Sequence, residues 1–144
     1  MPVLRLLVLA VSLVVGVGGS ARADGYVVYD KWRGVFGAAF DRGTPTAARE
    51  AAIRACHANG GKVCNTRLSI GSGSCGALAV QTTHKRTGKR LSRQWYADCA
   101  KDRKCWPGYS LYRGGTLAAA KSKTMANCTK YGFQCKFVLA RCTR

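Results

Sequence analysis

Eight cysteines are the residues of this chain whose type and spacing most clearly indicate chemistry. They form three groups along the sequence, which are Cys56, Cys64 and Cys75, then Cys99 and Cys105, then Cys128, Cys135 and Cys142. Zinc sites usually need closely spaced pairs such as Cys-x2-Cys, and the sequence has no such pair. An even number of cysteines in a short chain is typical of an exported domain cross-linked by disulfides. We therefore expect structural disulfides, no bound metal and no cofactor.

A basic segment over residues 82–94 is the second chemically distinctive feature. It contains no acid and five cations, followed closely by Trp95; the cations are Lys85, Arg86, Lys89, Arg90 and Arg93. Thr87 and Gly88 predict a turn between strands at 77–81 and 94–96. Clustered cations attract polyanions, and an indole ring can stack on a base or a sugar. We predict a polyanion-binding hairpin whose partner is lipopolysaccharide, anionic lipid or nucleic acid; a solvated loop is the plainer alternative.

Enzyme functions find less support in the sequence. Cleavage of a phosphodiester by a small secreted nuclease needs one histidine as base and another as acid, beside a cation. His84 lies among cations, but nothing in the sequence brings it to His57. A glycosidase needs two carboxylates across the scissile bond, and Glu50 is the only glutamate. We predict no catalytic residues; the first alternative to polyanion binding is an envelope protein-interaction module, such as an inhibitor or immunity-type factor, and a nuclease ranks third.

The first 23 residues have the pattern of a signal peptide. Arg5 precedes an apolar run over residues 6–17, which is shorter than the ~20 residues that a membrane-spanning helix needs. Ala21, Arg22 and Ala23 then form an A-x-A cleavage signal. We expect cleavage after Ala23 and a secreted or periplasmic monomer without a transmembrane anchor.

The composition describes one strongly basic folded domain. The 144 residues include 24 Lys and Arg against 6 Asp and Glu, and 47% are hydrophobic, which is too many for a disordered basic tail. Loss of Arg5 and Arg22 with the signal peptide leaves 22 basic and 6 acidic side chains, a formal charge of +16 on residues 24–144. This charge exceeds what solubility requires, so it favours an anionic partner.

A weak internal repeat indicates the fold class. Thr44 and Thr116 each precede an alanine-rich run that ends at a cysteine 12 residues later, at Cys56 and Cys128. Threonine is a good N-cap, so the sequence predicts two short alanine-rich helices, each followed by a strand. A hairpin over residues 26–40 precedes the first helix. We expect an α+β domain with a small antiparallel sheet, two quasi-repeats at about 35–81 and 107–142, and disulfide cross-links.

These residues also resemble a known family. Gly37-Ala38-Ala39 before the first helix, Cys56, Cys64 and then the segment Cys75-Gly76-Ala77-Leu78-Ala79 are similar to a small secreted bacterial domain, catalogued as domain of unknown function number 4189. The resemblance is close over residues 25–82 and looser towards the last three cysteines. The chain departs from the family pattern at its basic segment and at Cys99 and Cys105. The resemblance implies an exported, disulfide-linked α+β domain and no catalytic residues.

The repeat suggests one pairing of the cysteines, although the sequence alone cannot choose among the many that eight cysteines allow. The simplest arrangement joins each helix-end cysteine to its following strand, and a bond between the third members of the two triplets then links the two halves of the domain. It therefore predicts the pairs Cys56–Cys64, Cys128–Cys135, Cys75–Cys142 and Cys99–Cys105.

Overall fold

Two antiparallel sheets of three strands each form the centre of the fold. The computed structural model describes residues 23–83, 87–102, 108–130 and 134–144. In chain order the elements are β1 (Asp24–Asp30), β2 (Val35–Arg42), α1 (Pro45–Ala58), β3 (Thr66–Ile70), β4 (Cys75–Gln81), α2 (Arg93–Asp102), β5 (Tyr109–Gly114), α3 (Leu117–Thr129) and β6 (Cys135–Cys142). The predicted α+β class is confirmed; the strands divide between two sheets, and α2 is a third helix.

Both sheets are built by the same path of the chain. The strand orders are β2-β1-β3 and β5-β4-β6, and all neighbours are antiparallel. In each sheet the chain forms the central strand, then one edge strand, then a helix, and then the other edge strand. This topology divides the chain between β3 and β4, so that β4 begins the second unit. Residues 82–108, which include α2, are an insertion between β4 and β5.

The two alanine-rich helices begin where the sequence predicts. The Thr44 hydroxyl accepts a hydrogen bond from the backbone amide of Ala47, and the Thr116 hydroxyl accepts one from Ala119, each at 3.1 Å. Both threonines have extended backbone angles, as N-caps do. Each cap satisfies an amide that the first turn leaves without a partner.

The elements stack as four layers, with the sheets inside and the helices outside. Val27 and Tyr29 face the second sheet and pack with Leu78 and Val80. Val28, the residue between them, points the other way and packs against α1. On the far side of the second sheet, Ala77 of β4 packs against Ala120 of α3. The main core therefore lies between the two sheets, and small residues let each helix lie close on its own sheet.

Three of the predicted disulfides are confirmed. Cys56–Cys64 and Cys128–Cys135 join each helix end to the segment that follows it, and Cys75–Cys142 joins β4 to β6. Both members of that last pair lie in the second sheet, so the bond closes one unit and does not link the two. Cys99 is buried on α2 and disulfide-bonded. Its predicted partner, Cys105, lies outside the described residues.

The predicted strand over residues 94–96 is wrong, because this segment belongs to α2. Strand β4 is central in its sheet and already pairs with β5 and β6, so no edge remains for a returning strand over 77–81. Among the described residues of this segment, the hairpin continues past β4 as one antiparallel bridge between Thr83 and Arg90. Ser92 then starts the helix, since its hydroxyl accepts a hydrogen bond from the amide of Trp95 at 3.1 Å.

The predicted signal peptide falls almost wholly outside the described residues, which begin at Ala23. Within the ranges that are described, no helix is both long and apolar enough to cross a membrane.

Candidate functional site

A cleft of about 320 Å³ lies where the inserted helix α2 approaches the first sheet. We call it the cationic cleft. Its walls come from the β1–β2 turn, the C-terminal end of α1 and one face of α2. The residues that line it are Trp32, Arg33, Val35, Asn59, Gly60, Arg93, Ala97 and Ala100.

The β1–β2 turn is held by the side chain of Asp30, which is fully buried. Its Oδ1 accepts hydrogen bonds from the amides of Trp32 at 3.0 Å and Arg33 at 3.2 Å. Gly34 closes the turn with a φ of 64°, and its amide donates to the Asp30 carbonyl at 2.9 Å. The turn therefore presents Trp32 and Arg33 to the cleft from a fixed backbone.

The α1 wall is fixed by Asn59, the C-cap of the helix. Its backbone amide donates to the Ala55 carbonyl at 3.0 Å, and its side-chain amide donates to the Phe36 carbonyl at 2.8 Å. Gly60 follows with a φ of 90°, which favours glycine. These bonds tie the end of α1 to β2 at the rim of the cleft.

The third wall is one face of α2. Arg93, Ala97 and Ala100 have helical spacing, so they lie on the same side of the helix. Tyr96 anchors the helix on the turn, because its ring packs closely against Gly34. A Cβ atom added at Gly34 would lie only 3.0 Å from the ring of Tyr96. Burial raises the pKa of Tyr96 above its ordinary value.

The lining of the cleft is positively charged. The described lining residues include two guanidinium groups, Arg33 and Arg93, and no carboxylate. A groove of about 190 Å³ next to Tyr96 adds Arg90 from the insertion and Lys136 from β6. Guanidinium groups bind phosphate and carboxylate through paired hydrogen bonds, so this region can bind anionic groups.

The predicted site residues fall partly into this region. Arg93 lines the cleft, Arg90 lines the adjoining groove, and Lys89 is exposed. Trp95 is half-buried with its ring 5.2 Å from that of Tyr96. Two further predicted cations, Lys85 and Arg86, lie outside the described residues.

Trp32, Arg33 and Lys136 were not predicted as site residues. The first two belong to Lys31-Trp32-Arg33-Gly34, which the sequence predicts as the turn of the hairpin over residues 26–40. The basic and aromatic side chains of this turn were the signal that could have identified it. Lys136 gave no such signal in the sequence, because it is a single cation within a strand.

The structure describes only one of the two histidines that a nuclease mechanism would need. His57 Nδ1 lies 2.9 Å from the Gly61 carbonyl oxygen, at the end of α1, and His84 lies outside the described residues. Over the part of the chain that is described, no group of three or more His, Cys, Asp or Glu side chains could hold a metal ion. That the protein binds no metal and no cofactor stays a prediction.

Comparison with known proteins identifies the family of this chain. No curated protein and no solved structure matches this chain significantly. The family model DUF4189, described as a domain of unknown function, matches residues 25–142 and so spans both described sheets, the three described helices and the cationic cleft. The chain therefore belongs to the DUF4189 family.

Proposed function

We propose that this protein is an exported, monomeric, non-enzymatic domain that binds anionic polymers or anionic envelope surfaces. The observation that carries the proposal is that Arg33 and Arg93, from distant parts of the chain, line the same cleft. Arg90 and Lys136 line a second groove, which the same turn and the same helix bound through Gly34 and Tyr96. The cationic surface is thus wider than the hairpin expected from sequence.

Four carboxylates have described partners, and none of the four lines the cationic cleft. Asp30 is buried and binds backbone amides, while Asp41 accepts from Arg141 at 3.2 Å. Glu50 lies 3.9 Å from Arg54 on α1, and Asp98 accepts from the side-chain amide of Gln94 at 2.8 Å. Because opposite charges do not neutralise Arg33 and Arg93 within the cleft, their field extends into solvent and attracts polyanions.

Export is supported by the disulfides and by the sequence of the first 23 residues. Disulfides persist in oxidising compartments, such as the periplasm or the cell exterior. We propose that the signal peptide is cleaved near Ala23 and that the domain acts outside the cytoplasm.

A salt titration of polyanion binding tests this function. Binding of the mature chain to heparin, lipopolysaccharide and single-stranded DNA would be measured between low and moderate salt. Replacing one cation that binds a nucleic-acid phosphate should reduce the log–log salt slope by about 0.7–0.9. We expect the double variant Arg33→Gln/Arg93→Gln to reduce the slope by up to twice that amount.

The matched control is Arg113→Gln, which removes an exposed cation from β5 and should leave the slope nearly unchanged. Equal slopes for the double variant and the parent protein would contradict the proposal. Absence of any salt-dependent binding to all three polyanions would also contradict it.

A protein-interaction module is the second candidate. A groove of about 370 Å³ runs between the edge strands β3 and β5 and includes Arg67, Tyr109 and Tyr112. Tyr112 is 38% exposed, and so is Leu117 at the start of α3. Exposed aromatic groups are common at protein interfaces. A partner protein that is captured equally well at high salt, and not captured by Tyr112→Ala, would favour this function.

A further inference from the structure

Two cavities share one wall in the region of the cationic cleft. The second has a volume of about 270 Å³, and we call it the apolar hollow; its lining residues are Asp30, Trp32, Arg33, Lys62, Val63 and Ala100. Trp32, Arg33 and Ala100 also line the cationic cleft. A single ligand can therefore occupy both cavities by crossing these three residues.

The two cavities differ in chemistry along this path. Arg93 lines only the cationic cleft, whereas Val63 lines only the apolar hollow. Val63 is 46% exposed, so its apolar side chain is accessible to a ligand at this end of the hollow. The surface thus changes from cationic at Arg93 to apolar at Val63, with the Trp32 indole and the Ala100 methyl between them.

The carboxylate that lines the apolar hollow is already occupied by the fold. Both carboxylate oxygens of Asp30 accept from backbone amides, two of which belong to Lys62 and Val63. The Asp30 carboxylate and these two backbone amides are therefore not available to form hydrogen bonds with the edge of a nucleotide base. The long stem of Lys62 can cover apolar surface while its ammonium group stays in water. The hollow therefore suits an alkyl chain better than a base.

We propose that the cationic cleft and the apolar hollow together bind one anionic amphiphile. Its phosphate head group lies between Arg33 and Arg93, and its alkyl chain crosses Trp32 and Ala100 to Val63. The inference rests on the proposed function, because it uses the same cations, and it identifies the ligand class as a phosphate-bearing lipid.

A chain-length series tests the inference. Calorimetric titration of the mature protein would use inorganic phosphate, then butyl, hexyl and octyl phosphate below the concentrations at which they form micelles. We expect one saturable site and an affinity that rises two- to fourfold for each added methylene, as burial of a CH₂ group predicts. Octyl glucoside, which has the same chain and no charge, should bind at least tenfold more weakly than octyl phosphate.

Two variants separate the chain contact from the charge contact. Ala100→Phe fills the wall shared by both cavities, and Val63→Ser removes the apolar contact at a partly exposed position. Each should abolish most of the chain-length dependence. Val63→Ser should also keep heparin binding, since Val63 does not line the cationic cleft and the substitution leaves the charge unchanged. Arg113→Gln should bind octyl phosphate as the parent protein does. Circular dichroism and the midpoint of thermal unfolding would show that each variant is folded.

The outcomes distinguish this inference from the proposed function. If octyl phosphate binds no better than inorganic phosphate, or if both cavity variants bind it like the parent protein, the amphiphile site is wrong. If heparin, lipopolysaccharide and DNA show no salt-dependent binding while octyl phosphate binds in a 1:1 complex, polymer binding is wrong and the amphiphile site stands.

Discussion

The carboxylate of Asp30 accepts a hydrogen bond from the backbone amide of Lys62 at 2.8 Å, across 32 residues of sequence. The same Oδ2 accepts from Val63 at 2.9 Å, while Oδ1 binds two amides of the β1–β2 turn. One buried side chain therefore holds the turn that carries Trp32 and Arg33 and also the loop that carries Val63. The walls of both cavities depend on this carboxylate.

We expect Asp30→Asn to destabilise the protein by about 2–4 kcal/mol. The amide NH₂ of asparagine would face backbone N–H groups and leave them without an acceptor in a buried site. Urea unfolding measures the loss, and hydrogen exchange should speed up at the amides of Lys62 and Val63.

The control for this change is Asp98→Asn, at an exposed position on α2. It should alter the free energy of unfolding by no more than about 0.5 kcal/mol. If Asp30→Asn lowered the free energy of unfolding no more than Asp98→Asn does, the Asp30 carboxylate would not hold the β1–β2 turn and the loop at Val63 together.

Gly37 sets the distance between α1 and β2. A Cβ at this position would overlap the backbone carbonyl oxygen of Ala52 and the amide nitrogen of Cys56. Backbone atoms cannot turn aside as a flexible side chain can, so Gly37→Ala should push the helix outward. We expect a loss of about 2–4 kcal/mol in urea unfolding.

Gly43→Ala is the matched control, because no atom lies within 4 Å of the position that its Cβ would occupy. It should leave stability within about 1 kcal/mol of the parent protein. Similar effects of the two substitutions would show that α1 does not need close contact with β2.

Local signals explain which parts of this fold could be predicted. Thr44 and Thr116 cap helices through hydrogen bonds to amides three residues away, so the sequence contains everything needed to place them. The repeated interval between threonine and cysteine also led to three disulfides that the structure contains.

The errors arose where distant segments decide the outcome. The segment that begins at Arg93 is helical because β5 and β6 occupy both edges of β4, a fact that no local pattern reveals. The cationic cleft was missed for the same reason. It exists only because the insertion brings Arg93 to Arg33, which lies 60 residues earlier in the sequence.

The disulfides should differ in their contribution to stability according to the loop that each closes. Cys75 and Cys142 are 67 residues apart, whereas Cys128 and Cys135 are 7 apart. In the chain-entropy account, a longer loop restricts the unfolded chain more. We expect Cys75→Ala/Cys142→Ala to cost about 4 kcal/mol and Cys128→Ala/Cys135→Ala about 2.5 kcal/mol.

Urea unfolding of the two double variants measures this difference, and each serves as the control for the other, since both replace two cysteines by alanine. Equal losses would show that packing around the sulfur atoms, and not loop closure, determines how much each bond contributes.

Tyr29 should make stability depend on pH in the alkaline range. It is fully buried between the sheets, with its ring 5.2 Å from that of Tyr109. Burial raises the pKa of Tyr29, and the neighbouring Tyr96 raises that pKa further. The unfolded chain releases the tyrosine proton near pH 10, whereas the folded protein retains it. The unfolded state therefore binds fewer protons above about pH 10, and the free energy of unfolding falls as pH rises.

The fall should be at most about 1.4 kcal/mol per pH unit for each such tyrosine, and it should be absent below about pH 9. Urea unfolding of Tyr29→Phe between pH 8 and pH 11.5 should give a flatter alkaline limb than the parent protein, because phenylalanine has no proton to release. Tyr112→Phe, at a tyrosine that is 38% exposed, should keep the parental slope. Parallel curves for the parent protein and Tyr29→Phe would mean that Tyr29 ionises as readily in the folded protein as in the unfolded chain.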